Sequence, residues 1–192
     1  MTLIVIALAS VFAVLVGVAI QRNAVARPLV LSTAGVFLTI PSLAFFALFV
    51  PITGTGNLPA MCALFLYALL PIIRNTVTGL DAVSPAVVES AKGMGLNTRQ
   101  QLVQVRLPLA WPVIMTGIRV ATLLTVSIAA IAPLVGGNGL GNFVKAGLTR
   151  NGFDGASDAV WVGVVFTILL GLALDALLGL VQRFTTPRGL RL

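Results

Sequence analysis

Residues Ser84–Pro112, SPAVVESAKGMGLNTRQQLVQVRLPLAWP, are the longest polar-containing run in an otherwise apolar chain. Ser84 offers an N-cap hydroxyl and Pro85 stands at the first helical position. Gly93 and Gly95 then stop that short helix. Thr98, with Gln101 three residues on, fits a capping box for a second helix, and Pro108 ends it. The spacing predicts a compact helix–turn–helix over residues 84–108 that presents Glu89, Lys92, Arg99 and Arg106 to water. Placed between two hydrophobic spans, such an element suits docking to something on one side of a membrane.

Working outward, the whole chain is 58% hydrophobic and 9% charged, with a mean hydropathy of +1.09. Soluble domains carry roughly 25% charged residues, so this protein is solvated mainly by lipid. Short loops between spans imply one domain, residues 1–192, with 84–108 as a loop within it. The net charge of +7 fits basic residues gathered in loops on one side of a membrane better than nucleic-acid binding. Cys62 is the sole cysteine and lies in a hydrophobic span, so no disulfide framework is expected. With no histidine and five carboxylates scattered along the chain, neither a metal site nor a catalytic residue is expected.

The fold class that follows is an all-α integral membrane protein. It has about five transmembrane helices, at about 2–20, 29–50, 60–79, 113–135 and 159–181, each near the roughly 20 residues a bilayer requires. Ala24-Val25-Ala26 resembles a signal-peptidase site. However, no Lys or Arg precedes the first apolar run and Arg22 follows it, which favours a retained first helix. Pro28 opens the second span, which holds Pro41 and a cluster of Phe45, Phe46 and Phe49. Pro71 is expected to kink the third. The turn-rich segments Pro51–Pro59 (PITGTGNLP) and Gly136–Ser157 (GGNGLGNFVKAGLTRNGFDGAS) read as outer loops.

Charge placement orients this topology. Five spans with the basic tail inside put Arg22, Arg27, Arg74, Lys92, Arg99, Arg106, Arg119, Arg183, Arg188 and Arg191 at or near the inner face. Only Lys145 and Arg150 are left outside, offset by Asp154 and Asp158. The positive-inside bias therefore favours an external N-terminus, a cytoplasmic C-terminus and a cytoplasmic helical loop. Two charges fall within spans, Arg119 and Asp175, each roughly 12 Å from the inner end at about 1.5 Å per residue. An unpaired charge at that depth is costly. Asp175 is expected to face inward and pair with Arg119, or failing that with Arg74. The competing reading has Arg119 snorkel to the surface.

Glu89-Ser90-Ala91, then Gly95, then Leu107-Pro108 resembles the EAA loop of ABC importer membrane subunits, with Ser90 in place of the middle alanine. The segments TIPSLAFFALFVP (Thr39–Pro51), LYALLPIIRNT (Leu66–Thr76) and GGNGLG (Gly136–Gly141) are similar to those of osmoprotectant, or quaternary-amine, importers. The resemblance runs from about Pro28 onward and implies a MetI-like transmembrane fold in a bacterial inner membrane. It implies that Glu89, Ser90, Ala91, Lys92, Gly93, Gly95, Arg99, Leu107 and Pro108 couple the chain to a cytoplasmic ATPase subunit. That subunit would bind ATP-Mg, leaving no cofactor in this chain. It further implies an extracytoplasmic solute-binding protein and a second permease subunit, identical or related.

Other features have plainer readings. The helical loop would be a poor DNA-binding element when tethered between spans, so no nucleic-acid partner is expected. Gly136–Gly141 lacks the strand and helix context of a nucleotide loop and is expected to make a turn for close packing. Phe45 could hold a quaternary ammonium by cation–π contact, or simply pack. Thr39, Ser42, Thr122 and Thr125 could line a solute path or hydrogen-bond within helices. The functional expectation is an ATP-driven permease subunit for glycine betaine, choline or a similar solute. Alternatives are the same role for an amino acid, and a secondary transporter or channel working alone.

Overall fold

The computed structural model describes residues 1–150 and 153–186. Arg188 and Arg191 of the basic tail, and positions 151–152 of the glycine-rich segment, lie outside the described residues. The described residues are mostly helical, with no strand among them. They comprise α1 (Thr2–Ile20), α2 (Ala26–Thr39), α3 (Ser42–Thr53), α4 (Asn57–Asp81), α5 (Pro85–Gly93), α6 (Thr98–Gln100), α7 (Leu107–Ala129), α8 (Gly141–Thr149) and α9 (Ala156–Thr185). A π-helical segment, Gln101–Arg106, joins α6 to α7, and a 3-10 turn, Ala132–Val135, follows α7. Four helices are long and apolar enough to cross a membrane: α1, α4, the continuous Thr98–Ala129 helix and α9.

The second span is not the single helix expected over 29–50. It is a bent pair, α2 and α3, whose axes meet at 99°. The cause is Pro41. A residue before proline is pushed out of the helical region, and Ile40 is extended at φ −74°, ψ 128°. Tyr67 from α4 closes the gap, its hydroxyl donating to the Ile40 carbonyl at 2.6 Å. Pro71 lies inside α4, which runs without a break from Asn57 to Asp81.

Four further expectations change. The second loop helix is capped by Asn97, not Thr98. Asn97 and Gln100 exchange the reciprocal bonds of a capping box at 2.9 and 2.8 Å. Pro108 does not end that helix. It stands in the first turn of α7, directly after the π segment, where a missing N–H costs least. The fourth span accordingly starts at Leu107 rather than 113, and it ends at Ala129 rather than 135. The glycine-rich segment after α7, finally, contains α8, which packs along α9.

α4 is the centre of the bundle, flanked by α1, α2, α3 and α7. Its inner contacts depend on glycines. A Cβ at Gly117 would lie 2.6 Å from the Asn75 Cβ and 2.8 Å from the Pro71 carbonyl oxygen. At Gly79 it would meet the Ala110 carbonyl at 3.0 Å, and at Gly17 the Thr76 methyl at 2.7 Å. Overpacking a tight core costs roughly 1–3 kcal/mol. Gly117→Ala should therefore lower the melting midpoint of the detergent-purified protein. Gly35→Ala, with open space around the new methyl, should not. Equal midpoints for the two variants would contradict the close α4–α7 packing.

Candidate functional site

The loop at the basic end of the bundle is built by local rules. Ser84 precedes α5 as its N-cap, but its carbonyl rather than its hydroxyl makes the capping bonds, accepting from Val87 and Val88. At the other end the chain makes a Schellman turn. The Leu96 N–H reaches the Ala91 carbonyl at 3.2 Å, and the Gly95 N–H reaches Lys92 at 3.0 Å. Gly95 adopts φ +83°, a left-handed conformation that costs other L-residues about 1–2 kcal/mol.

α5 therefore projects as a short exposed helix. Glu89, Ser90, Lys92, Gly93 and Gly95 are all exposed, while Ala91 is 1% exposed and seats the helix on its own chain. Ala91 thus packs inward rather than contributing to an outer surface. Val87 and Met94 are exposed at 42% and 73%. These two apolar side chains on a water-facing helix were not singled out by sequence reasoning. Exposed apolar residues on a short polar helix are the signal that could have found them. Leu107 and Pro108 are half-buried where the loop enters α7. Arg99 is exposed and lies beside Arg22 and Arg106, around a cleft below the end of α1.

The two intramembrane charges meet. Arg119 Nε donates to Asp175 Oδ1 at 2.8 Å and an Arg119 terminal nitrogen to Oδ2 at 2.7 Å, a bidentate bridge between α7 and α9. Such fork-on-carboxylate geometry is the strong form of an ion pair. Gln182 extends the seam by donating to the Pro112 carbonyl at 3.2 Å, and Trp111 Nε1 donates to the Thr185 hydroxyl at 2.7 Å. Arg74 lies exposed on α4 and takes no part. A second pair, Arg27–Asp81 at 2.7 Å, ties the start of α2 to the end of α4. No spacing in the sequence announces it, because the partners are far apart in the chain.

The residues considered for a solute path are divided. Thr39 and Ser42 flank the α2–α3 break, Thr39 exposed and Ser42 half-buried, with the Thr39 hydroxyl donating to the Val36 carbonyl. Phe45 is 2% exposed, with Phe37, Phe49 and Tyr67 around it, so it packs within the core. Thr122 and Thr125 are also buried, each hydroxyl bonded to a carbonyl of α7 itself. Among the described residues no group of three or more His, Cys, Asp or Glu could hold a metal.

Residues 9–186 match the family described as the binding-protein-dependent transport system inner membrane component. The chain belongs to that family. It is an inner membrane transport component and not itself an enzyme. The glycine betaine/carnitine/choline transport system permease OpuCB of Bacillus subtilis is 37% identical over 190 residues, covering 99% of this chain and 86% of that protein. The osmoprotectant import permease OsmW of Salmonella typhimurium is 40% identical over 192 residues, with 97% and 87% coverage. The carnitine transport permease OpuCB of Listeria monocytogenes is 36% identical over 179 residues, with 93% and 80% coverage.

A chain from inward-facing structures of the MetNI methionine ABC transporter superposes with a TM-score of 0.78 and covers 97% of this chain and 93% of its own. At 20% identity that likeness is one of fold: the inner membrane component has a MetI-like helical arrangement.

Removing one member of an ion pair in a low-dielectric setting leaves the other charge stranded. Arg119→Leu should destabilise the protein by roughly 1–3 kcal/mol, less than for a fully buried pair, because both side chains keep some exposure. Arg119→Leu/Asp175→Leu should recover most of that loss. Thermal unfolding in detergent measures both. A double variant no better than the single one would mean that the bridge is not the cause.

Proposed function

We propose that this chain is the permease subunit of an ATP-driven importer for an osmoprotectant of the quaternary-amine class, such as glycine betaine, choline or a similar solute. The observation that carries the reading is identity of 36–40% along nearly the whole chain to permeases named for those solutes. α5 is the surface offered to a cytoplasmic ATPase. Glu89, Ser90, Lys92 and Gly93 supply its polar face, Val87 and Met94 supply apolar anchors, and the Gly95 turn fixes its angle. Leu107 and Pro108 carry it into α7. Arg99 flanks that surface rather than standing at its centre.

In this reading the ATPase subunit holds ATP-Mg and does the hydrolysis, and closure of the ATPase pair moves two such helices together. Because α6, the π segment and α7 form one unbroken helix, a displacement at α5 enters the bundle directly. The membrane subunits would then rock as rigid bodies around a shared path. Two membrane subunits are needed to line that path. The chain accordingly works with a second permease subunit, identical or related, and receives solute from an extracytoplasmic binding protein. The excess of arginine at the α5 end supports an orientation with that end and the C-terminus in the cytoplasm and the N-terminus outside.

Solute uptake in a transport-deficient strain, with the ATPase and binding protein co-expressed, tests this. Labelled glycine betaine or choline should accumulate with the wild-type chain. Gly95→Asp strains the turn by about 1–2 kcal/mol and adds a charge beside α5, so uptake should fall to background while membrane expression persists. Accumulation driven by an ion gradient without the ATPase would overturn the reading.

A further inference from the structure

Where α1 ends, the chain leaves a cleft of about 350 Å³ lined by Gln21, Arg22, Thr98, Arg99, Leu102 and Arg106. Three of those six residues are arginines and none is acidic. Ion pairing elsewhere makes the imbalance specific. Among the described residues Arg27 is matched by Asp81 and Arg119 by Asp175, while Arg22 and Arg99 face no carboxylate. Arg106 donates to the Leu80 carbonyl at 3.2 Å, which uses one of the five N–H donors of its guanidinium. Arg106 is partly buried and lies beside Arg22 at the cleft, and the nearby Asp81 is already held by Arg27. Bringing like charges together around an open cleft is unfavourable unless an anion sits between them.

We propose that this cleft binds the phosphate of an anionic phospholipid, held by Arg22, Arg99 and Arg106. The planar guanidinium fork matches phosphate oxygens two at a time. A lipid is favoured over a free anion by what adjoins the cleft. Leu8, Val11 and Leu15 are exposed at 59%, 65% and 64% and form one apolar stripe along α1. Arg22 stands in the turn just past the end of that helix. A headgroup in the cleft leaves its acyl chains free to run along α1 toward Leu15 and Val11, and Leu102 gives the cleft an apolar wall. This site goes beyond the transport reading. It requires only that the chain spans a membrane, and it stands whichever solute is carried.

Native mass spectrometry of the permease–ATPase complex tests the site. The complex is delipidated in detergent, then titrated with phosphatidylglycerol, with phosphatidylcholine of the same acyl chains, or with inorganic phosphate. The wild-type complex should retain one phosphatidylglycerol per membrane subunit that phosphatidylcholine does not replace and inorganic phosphate does not displace. Arg22→Glu should weaken that retention roughly tenfold or more, and Arg22→Lys should keep most of it. Arg74→Gln, at an exposed arginine of α4 outside the cleft, should match wild type. Equal retention by wild type and Arg22→Glu would overturn the proposal, as would an equal loss in Arg74→Gln. Displacement by inorganic phosphate would make the cleft a free-anion site and overturn the lipid assignment. If Arg22→Glu sheds the ATPase while keeping the lipid, the cleft belongs to the ATPase and the proposal fails.

Discussion

Close approach of α4 to its neighbours is the constraint on which the remaining architecture rests. In a bilayer lipid tails compete with side chains for apolar contact, so helices associate by tight packing and internal hydrogen bonds. Small residues meet α4 on two sides. Gly17 of α1 lies over Thr76, and Gly117 of α7 lies over Asn75 and the Pro71 carbonyl, while Gly79 of α4 itself fits against Ala110. Thr76 donates back to the Ile72 carbonyl and Asn75 to the Pro71 carbonyl, each at 2.8 Å. The polar groups of this seam are thereby satisfied within α4. α4 is thus buried over most of its length while α9, at the periphery, is mostly exposed.

Much of this was legible in the sequence because hydrophobic length is a strong signal. α1 matches its expected bounds, and α4 and α9 extend theirs by only a few residues. The loop between α4 and α7 was legible as two short helices around a glycine turn. The errors share a cause: local punctuation was read without the tertiary contacts that decide what it means. Pro41 and Pro71 look alike in sequence. Yet the chain breaks at Pro41, where Tyr67 is placed to bond the Ile40 carbonyl, while α4 continues through Pro71. Similarly, Gly147 and Gly163 read as loop or span residues. In the structure each lets α8 and α9 approach, with Val160 and Val144 as the facing side chains.

The candidate site was legible in chemistry but only partly in direction. Glu89, Ser90 and Gly95 are exposed, because an N-cap position and a Schellman turn define a short helix that projects from the bundle. Ala91 turns inward, since a nine-residue helix must still spend one face on its own chain. The hydroxyls of Thr122 and Thr125 were indistinguishable from path-lining groups in sequence. Threonine in a helix can satisfy itself on a carbonyl three or four residues back, and both do.

The polar seam between α7 and α9 then explains how a poorly buried helix is kept in register. Lipid-facing apolar contact does not distinguish one rotation of α9 from another, since each exposes similar aliphatic surface. The Arg119–Asp175 bridge, Gln182 on the Pro112 carbonyl and Trp111 on Thr185 do distinguish them. All three lie on one stripe of α9, at positions 175, 182 and 185, and on one stripe of α7, at 111, 112 and 119. Pro112 contributes by geometry as well as by its carbonyl. Lacking an N–H, it leaves the preceding turn of α7 one bond short, and the Trp111 side chain beside it is tied across to α9. A helix fixed this way keeps its rotation relative to α7, and α7 is continuous with the segment that leads from α5. The connection from α5 to α9 therefore runs through one continuous helix and one set of directional bonds.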